Sequence, residues 1–434
     1  MPKTRATASD RPLRYTLTPG LHSLVRIETM PGAACTLKPQ ENCEFQRSIK
    51  AYADPNGIAR FYMRPSWACE EIAKLVIETV KDGKVTHCPL HIRSSWVPTK
   101  EMPSPSVDDV LAHRKVGRGV APLSLDEALR LTDKQALARD YPLRPNPEEA
   151  PSAFRSWLQA VSMPMTLVEP HVIPNEGKSH GKNRQAGPAN SGNWSGFELD
   201  RSLQFIGVRP PRARLTEPYD WVAGKWNVPA VSSERNRQIY SAFWVGLDGD
   251  GLVDLVQAGT EQDIVNYSFL WVNVTVSTYY AWTEFLPQQP TEQVVSGLVV
   301  NPGDTIFTEV WMGNAGSSPT LSGSFGIFVI MNLTTGAYTN IYTPVGGTSV
   351  SGSEAVWIME RPTVGGSLPD LANYGSAIMS SASARKANAG NHQGYIAYQG
   401  ARNKQITMVN GTDILSMVTP IDANSMRFDW QRFN

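Results

Sequence analysis

A glutamine and a glutamate are the chemically most informative residues of the chain. Gln257 lies in a Leu-Val-Gln-Ala-Gly-Thr run and Glu360 ends a Val-Trp-Ile-Met-Glu run, and both runs have the composition of β-strands. Residues 191–434 contain no cysteine, and His392 is the only histidine there. Because Ser-His-Asp and Cys-His sites need a histidine base, and zinc sites draw mainly on histidine, cysteine and carboxylates, most hydrolytic chemistries are excluded from this region. Carboxylate and amide chemistry remains.

Motifs of other hydrolases and of metal sites are missing from the sequence. It contains no His-Glu-x-x-His, no P-loop, no Asp-Thr-Gly or Asp-Ser-Gly of the aspartic proteases, and no Gly-x-Ser-x-Gly with a usable histidine. Asp248, Asp250 and Asp254 resemble a calcium-binding loop, but Gly259 stands at the twelfth position, where such a loop carries a glutamate. A turn is therefore the favoured interpretation, and we predict neither a metal nor a cofactor.

Seven short motifs follow one another through the second half of the chain. They are GNWSG at 192–196, GKWNVP at 224–229, SAFWVGLDG at 241–249, LVQAG at 255–259, YYAWTEFLP at 279–287, NLTTG at 332–336 and AVWIME at 355–360. In order and spacing the series resembles the glutamic peptidases of the eqolisin family. Each motif alone is weak evidence, so the resemblance rests on the common register of all seven.

The resemblance implies both a fold and a reaction for residues 193–434. The fold is a concanavalin-like sandwich of two antiparallel sheets, and the reaction is hydrolysis of peptide bonds in acid by a Gln/Glu dyad. The family glutamine falls on Gln257 and the family glutamate on Glu360. A glutamate can activate a water molecule and then protonate the leaving nitrogen, and an amide N–H can stabilise the tetrahedral oxyanion. If both runs are strands, Gln257 shares a face with Leu255, and Glu360 shares a face with Ile358.

Four more residues match positions near the groove of the family. Aromatic walls hold substrate side chains, and neighbouring carboxylates can orient a dyad. We therefore predict a substrate-binding role for Trp244, Asp248, Trp282 and Glu284.

The sequence departs from the fungal pattern directly after the glutamate. Arg361 follows Glu360, where the fungal type carries an acidic residue and then an aromatic one, and the catalytic region lacks the cysteines of that type. A guanidinium on the same side would favour the ionised form of Glu360, although consecutive strand residues usually face opposite sides. The pH optimum therefore stays open.

The front of the chain is predicted to contain two segments ahead of a linker. Residues 1–100 contain short strands and turns such as Asp54-Pro-Asn-Gly, which predict a small β-sandwich. Residues 101–173 are predicted to be a helical connector or pro-segment, since Ser124 and Thr132 each begin a capping-box pattern. A helix around residues 153–161 is predicted to carry one apolar face, formed by Phe154, Trp157, Leu158 and Val161.

Residues 174–192 contain no large apolar residue, and they are predicted to form a flexible linker that contains the processing site. The predicted glutamic peptidase domain follows at residues 193–434. The first hundred residues carry all four cysteines, which allow two disulfide bridges in any of three pairings, four free thiols or, less favoured because no C-x-x-C occurs, a zinc site. They are Cys35, Cys43, Cys69 and Cys88.

A formal net charge of zero conceals a charge difference between the two halves. Residues 191–434 contain 14 Lys and Arg against 20 Asp and Glu, which leaves 26 against 20 in residues 1–190. The basic residues of the front are scattered rather than clustered with aromatics, so nucleic-acid binding is not favoured. We predict that the basic front masks the acidic groove and that acid weakens this attraction, as in a zymogen.

Two other functions fit a concanavalin-like sandwich. Glu284 and Glu360 would be the carboxylate pair of a glycosidase, and a lectin-like or adhesive protein would bind carbohydrate without turnover. The predicted partners are polypeptide substrates, with no nucleic acid and no membrane, and the chain is predicted to be a monomer. The family resemblance suggests secretion, but no signal peptide is visible, so the localisation stays open.

Overall fold

The computed structural model describes most of the chain in segments. They are residues 13–17, 23–39, 49–63, 72–94, 117–132, 135–136, 139, 141–170, 172–183, 189–200, 218–234, 237–250, 253–269, 272–313, 325–346, 350–387, 395–397 and 403–434. These residues are mainly β-strand, as predicted. No helix in these segments is both long enough and apolar enough to cross a membrane. The chain divides into two compact units, which we describe separately.

The first unit comprises Met1–Lys115, Ser232–Ile239 and Asp263–Tyr279. Its N-terminal strands are β1 (Leu13–Leu17), β2 (Ser23–Glu28), β3 (Ala34–Pro39), β4 (Ile49–Tyr52), β5 (Ile58–Met63), β6 (Ile72–Lys81) and β7 (Lys84–Ser94). One sheet has the order β1-β7-β6-β3-β4. β2 pairs with β5 on one side and with residues 273–278 on the other.

Both groups of strands in the first unit contribute to one apolar core, which includes Phe61, Ile77 and Val276. Layers that share a core in this way form the predicted small β-sandwich. Cys35 and Cys88 are buried free thiols in this core, and burial raises the pKa of each to about 11. The free-thiol alternative therefore holds for these two cysteines, whereas the other two lie outside the described residues.

The second unit comprises Val116–Val231, Tyr240–Gln262 and Tyr280–Asn434. Its helices are α1 (Leu125–Arg130) and α2 (Pro151–Val161). The strands before residue 250 are β8 (Gly117–Val120), β9 (Met165–Val168), β10 (Val172–Pro174), β11 (Lys178–Ser179), β12 (Asn190–Ser191), β13 (Trp194–Asp200), β14 (Tyr219–Asn227) and β15 (Gln238–Asp248). The later strands are β16 (Leu255–Phe269), β17 (Val272–Leu286), β18 (Gln293–Val299), β19 (Thr305–Gly313), β20 (Phe325–Asn332), β21 (Ala337–Pro344), β22 (Glu354–Glu360), β23 (Thr363–Val364), β24 (Asp370–Leu371), β25 (Ser376–Lys386), β26 (Tyr395–Ala397), β27 (Lys404–Asn410), β28 (Asp413–Asp422) and β29 (Ser425–Trp430). Residues 238–239 of β15, 263–269 of β16 and 272–279 of β17 belong to the first unit.

Two large sheets form the second unit. In the first sheet β22 pairs with β13 and with β15, while β18 pairs with β17 and with β10. β16 lies against β15, since a Cβ added at Gly259 would clash with the carbonyl oxygen of Phe243. The second sheet has the order β8-β9-β21-β20-β19-β14-β25-β29-β28-β27.

Side chains between the two sheets show which face of the first sheet is interior. The Trp357 indole donates to the Ala223 carbonyl at 2.9 Å, and the ring of Phe243 contacts that of Phe428 at 4.8 Å between centroids. Because consecutive strand residues alternate between faces, Trp244 and Glu360 point to the opposite face of this sheet. That outer face carries the site.

The segment before the predicted linker is built into the second unit. β8 and β9 extend one sheet at β21, and β10 extends the other at β18. The Ser124 side chain accepts from the backbone N–H of Glu127 in the predicted capping box. The boundary between the compact units falls at residues 115–116, and the division at residues 100, 173 and 192 stays a prediction.

Helix α2 carries the predicted apolar face. Phe154, Trp157 and Val161 are buried in a core that also contains Trp221 and Phe307 of the second sheet, and Leu158 packs at its margin. The Trp157 indole N–H donates to the Pro142 carbonyl at 3.1 Å, so its polar atom is satisfied inside the core.

The fully buried Trp157 allows a direct test of this packing. Trp157→Ala removes a large side chain from a core that cannot collapse completely, so we expect a loss of about 3 to 5 kcal/mol in the free energy of unfolding. Urea unfolding followed by fluorescence measures this loss. Leu129→Ala is the control, because Leu129 on α1 is 43% exposed and should cost less than about 1 kcal/mol. Equal losses for both variants would contradict the packing.

Candidate active site

Five of the six predicted site residues come together on the outer face of the first sheet. Neighbouring strands supply them, and every one of these side chains has 0% relative exposure. They are Trp244 on β15, Gln257 on β16, Trp282 and Glu284 on β17, and Glu360 on β22.

The Glu360 carboxylate receives two hydrogen bonds on each oxygen. Its Oε2 accepts from the Trp244 indole at 2.9 Å and from Nδ1 of His180 at 3.1 Å. Its Oε1 accepts from the side-chain amide of Asn193 at 2.8 Å and from the backbone N–H of Gly181 at 3.3 Å. Four donors around one buried carboxylate fix its plane.

Glu284 connects the glutamine to this cluster. Its Oε2 accepts from Nε2 of Gln257 at 2.7 Å and from the backbone N–H of His180 at 3.1 Å. Oε1 of Gln257 and Oε1 of Glu284 are buried and have no hydrogen-bond partner among the described residues. A buried polar atom without a partner is costly, so these two oxygens are acceptors that a further donor would stabilise.

A segment from the predicted linker covers the site. We call residues 175–183 the strap. Its basic side chains occur at every second position, and each of the three meets a carboxylate: Lys178 Nζ lies 3.1 Å from Glu261, His180 Nε2 lies 2.9 Å from Glu292, and Lys182 Nζ lies 2.8 Å from Asp250.

The ring of His180 occupies the space between the site carboxylates and an aromatic wall. It stacks on Trp282 with 3.8 Å between ring centroids and 5° between planes. Lys178 donates to the hydroxyl of Tyr280 at 2.8 Å, and the backbone N–H of Gly365 donates to Gly177 at 2.7 Å. The strap is thus bound through its side chains and its backbone.

The charges of the strap and the site stabilise each other. Burial alone lowers the pKa of His180, but Glu360, Glu292 and Glu261 outweigh it and raise the pKa well above its ordinary value. Burial alone raises the pKa of Glu292, but Lys178 and His180 outweigh it and lower the pKa below its ordinary value. The strap therefore presents a charged imidazolium to the ionised carboxylate of Glu292.

Glu284 differs from its neighbours in its protonation. Burial raises the pKa of Glu284 to about 8, with His180 opposing the rise and the charge of Glu360 adding to it. Glu284 is therefore a neutral acid at neutral pH and below, next to a site glutamate that receives four hydrogen-bond donors.

Two clusters of three side chains each have the spacing of metal ligands. One is His180 with Glu261 and Glu292, and the other is Glu198 with Asp200 and Glu354. Lys178 binds Glu261 and Lys404 binds Glu198, at 3.1 Å each, so cationic side chains of the protein already neutralise both groups. Neither group is interpreted as a metal centre.

Asp248 has its contacts elsewhere. Its carboxylate accepts backbone N–H groups of Gly352, Ser353 and Glu354 at 2.7, 2.6 and 3.1 Å, which fixes the loop that leads into β22. Burial, with a contribution from Asp254, raises the pKa of Asp248 to about 7. Its substrate-binding role stays a prediction that these contacts do not support.

Arg361 faces away from the Glu360 carboxylate. Its Nε and Nη2 donate to the Gly192 carbonyl at 3.1 and 2.7 Å, and burial lowers its pKa to about 10. Alternation along the strand therefore decides where this guanidinium points, and it acts on the chain before β13.

Sequence reasoning missed the residues that the strap brings to the site. The exclusion of histidine chemistry considered residues 191–434, whereas His180 precedes them and contacts Glu360. A signal was present, because Lys178, His180 and Lys182 alternate and an extended segment would place them on one side. Glu292 had no signal of its own.

Comparison with known proteins identifies the family. The model of the peptidase A4 family matches residues 211–428, about half of the chain, and this range contains Gln257 and Glu360. The chain belongs to the peptidase A4 family. It is therefore a glutamic peptidase, a hydrolase of peptide bonds, and the carbohydrate-active alternative is set aside.

Two peptidases of known structure are similar to part of the chain. One is scytalido-glutamic peptidase with a peptide-based transition state analog, with a TM-score of 0.39, 16% identity, and coverage of 55% of this chain and 98% of that one. The other is SCP-B, a member of the eqolisin family in complex with the tripeptide Ala-Ile-His, with a TM-score of 0.37 and the same identity and coverage. No curated protein matches the chain by sequence.

The raised pKa of Glu284 predicts how stability changes with pH. The folded protein holds this proton between the ordinary carboxyl value of 4.5 and about 8, whereas the unfolded chain releases it, so the stability contributed by Glu284 falls as pH rises through that window. Glu284→Gln should flatten this fall, as measured by thermal unfolding across the window.

The matched control for this prediction is Glu169→Gln, which removes an exposed carboxyl from the same unit. It should leave the slope unchanged. A Glu284→Gln protein that loses stability with pH as steeply as the unmodified chain would contradict the protonated state of Glu284.

Proposed function

We propose that this glutamic peptidase is an acid-acting endopeptidase in which Glu360 activates water and Gln257 stabilises the tetrahedral intermediate. The observation that carries the proposal is the continuous hydrogen-bonded path from Gln257 through Glu284 and the strap to Glu360 on one sheet face. Because His180 and Gly181 fill the space along this path, their removal leaves a cavity bordered by an amide and a carboxylate.

Glu360 is suited to move a proton between water and the leaving group. As carboxylate it takes a proton from water while the water oxygen attacks the peptide carbonyl carbon, and it then delivers that proton to the leaving nitrogen as the C–N bond breaks. The Trp244 donor at 2.9 Å keeps one oxygen in position during both steps.

Gln257 is suited to stabilise the oxyanion. A side-chain amide nitrogen has two hydrogens, and one of them is donated to Glu284 at 2.7 Å. That bond fixes the plane of the amide, so the second N–H has a defined direction. A donor that is already oriented stabilises the developing negative charge without reorganisation.

The two predicted tryptophans are suited to form the groove wall. The stack of His180 on Trp282 demonstrates that a flat group fits against this indole, and Trp244 lies 6.4 Å from Trp282 between ring centroids. In the open enzyme a substrate side chain or peptide plane would take the position of the imidazole.

We further propose that the strap is the inhibitory element of a zymogen, which narrows the predicted masking segment to residues 175–183. Lys178, His180 and Lys182 each pair with a carboxylate of this face, which supports a strap that competes with substrate for the groove. The linker residues 184–188, which follow directly, lie outside the described residues, and the processing site in the linker stays a prediction.

The charge pairs of the strap predict the pH range over which the strap stays bound and inhibits. The groups facing His180 are Glu360 of β22, Glu261 of β16, Glu284 of β17 and Glu292. With its pKa raised, His180 contributes fully below its ordinary value of 6.5 and loses this contribution as pH rises through the raised pKa. With its pKa lowered, Glu292 contributes fully above 4.5 and loses this contribution as pH falls through the lowered pKa, which predicts release in acid.

The dyad is tested by substitution and cleavage of an unfolded protein at about pH 3.5, below the ordinary carboxyl pKa. Glu360→Gln cannot accept the proton of water, so we expect a loss of about 10³ in kcat or more. Gln257→Ala removes the oxyanion donor, and we expect a loss of about 10² to 10³. Mass spectrometry of the cleavage products gives the rates.

Glu169→Gln serves as the control for both variants, since the exposed Glu169 lies outside the cluster and should retain full activity. Cleavage at the unmodified rate by Glu360→Gln or by Gln257→Ala would remove that residue from the mechanism.

The strap is tested by His180→Ala. This substitution removes a buried, hydrogen-bonded charge partner and weakens the binding of the strap to the site by several kcal/mol. The strap should therefore leave more easily, so acid activation should be at least about tenfold faster and should begin at a higher pH. The time course of substrate cleavage after a drop in pH measures this change. His87→Ala is the matched control, because the His87 side chain is 59% exposed and pairs with Glu78 in the first unit. Identical time courses for His180→Ala and the unmodified chain would contradict inhibition by the strap.

A further inference from the structure

One donor to Glu360 comes from neither the predicted groove residues nor the strap. Asn193 lies directly before β13, is fully buried, and donates through Nδ2 to Oε1 of Glu360 at 2.8 Å. It also precedes residues 211–428, the range matched by the family model. We infer that Asn193 is a positioning residue that holds the Glu360 carboxylate for catalysis after the strap has left. This inference rests on the proposed function of Glu360.

The donors to Glu360 divide between the strap and the sheet. Oε1 receives one bond from Gly181 and one from Asn193, and Oε2 receives one from His180 and one from Trp244. When the strap leaves, Asn193 and Trp244 remain, with one donor on each oxygen. Two donors on opposite oxygens fix the carboxylate plane and still leave acceptor positions for water.

The orientation of the Asn193 amide follows from its own partners. Oδ1 accepts from the Ser191 hydroxyl at 3.0 Å and from the backbone N–H of Asn183 at 2.7 Å, so the amino group must face Glu360. Its second hydrogen is donated to the Gly181 carbonyl at 2.7 Å. Ser191 lies outside the strap and can keep the amide in this orientation once the strap bonds are lost.

The backbone around Asn193 is fixed to the strand end that carries Glu360. The backbone N–H of Arg361 donates to the Asn193 carbonyl at 2.9 Å, and the Arg361 guanidinium donates twice to the Gly192 carbonyl. In the sheet, Trp194 pairs directly with Glu360. These bonds keep residues 192–194 and 360–361 together independently of the strap.

A neutral donor is the group that this position needs. It stabilises the ionised form of Glu360, which must accept a proton from water, and adds no charge of its own. The charged groups that face Glu360 are His180 of the strap, which leaves, and Glu284 of β17, which carries a proton in acid because burial raises its pKa to about 8. Asn193 and Trp244 are then the donors that hold the carboxylate during turnover.

The test compares pH profiles of kcat and KM for two proteins, the unmodified chain and Asn193→Asp. Both are expressed as the full chain and then fully activated in acid. Aspartate keeps the shape of the side chain and an acceptor for Ser191, but its ionised carboxylate cannot donate to Glu360. We expect the acid limb of the kcat/KM profile to move to higher pH by about one unit, kcat to fall by about tenfold or more, and KM to change by less than about twofold. Asn193→Ala should move the limb in the same direction by a smaller amount.

Two controls separate this inference from a structural effect and from the proposed function. Asn424→Ala removes a half-buried asparagine that bonds the Ala382 carbonyl, and it should change neither limb nor kcat. Trp244→Phe, which removes the other donor without adding a charge, should move the limb as Asn193→Ala does. An unchanged acid limb in Asn193→Asp, with Glu360→Gln inactive, overturns the positioning role alone, whereas an active Glu360→Gln overturns the proposed function.

Discussion

The arrangement of this site depends on keeping one buried carboxylate, that of Glu360, surrounded by hydrogen-bond donors. A buried ionised carboxyl group is stable only when its oxygens are fully bonded. In the closed protein the sheet supplies Asn193 and Trp244, and the strap supplies His180 and Gly181. Under the proposed function the two sources have different consequences: the sheet donors hold the carboxylate for proton transfer, and the strap donors occupy the space that water and substrate would need.

The fold positions these donors through strand alternation. Phe243 and Trp357 point into the sandwich, so their neighbours Trp244, Ile358 and the rest of the outer face point away from it. The carboxylates on this face would repel one another if an uncharged segment covered them. The alternating basic side chains of the strap offset this repulsion. Under the proposed function, inhibition by the strap and stability depend on the same charge pairs, and acid weakens both together.

The sequence predicted the parts of the site that follow from local pattern and register. Period-two counting gives the faces of Gln257 and Glu360, and the position of Arg361 on the opposite face follows from the same rule. The contact of His180 with Glu360 spans 180 residues of chain, and no local pattern encodes such a pairing. Asp248 was predicted from its motif, but a carboxylate that bonds three successive backbone N–H groups of one loop is recognisable only in three dimensions. Residues 174–183 look like a linker in composition because their partners are carboxylates far along the chain.

Hydrogen exchange of the strap most directly tests the central claim that a charge-held strap covers a Gln/Glu site. In the Gln257→Ala protein, which should process itself slowly and keeps every charged group that binds the strap, exchange of the backbone amides of residues 175–183 is measured by mass spectrometry as pH is lowered from about 6 to about 3, with rates corrected for the intrinsic effect of pH. The account predicts strong protection at the upper pH and its loss below the ordinary carboxyl range, while β22 stays protected. Protection of the strap that persists at a pH where the unmodified chain cleaves substrate would contradict it.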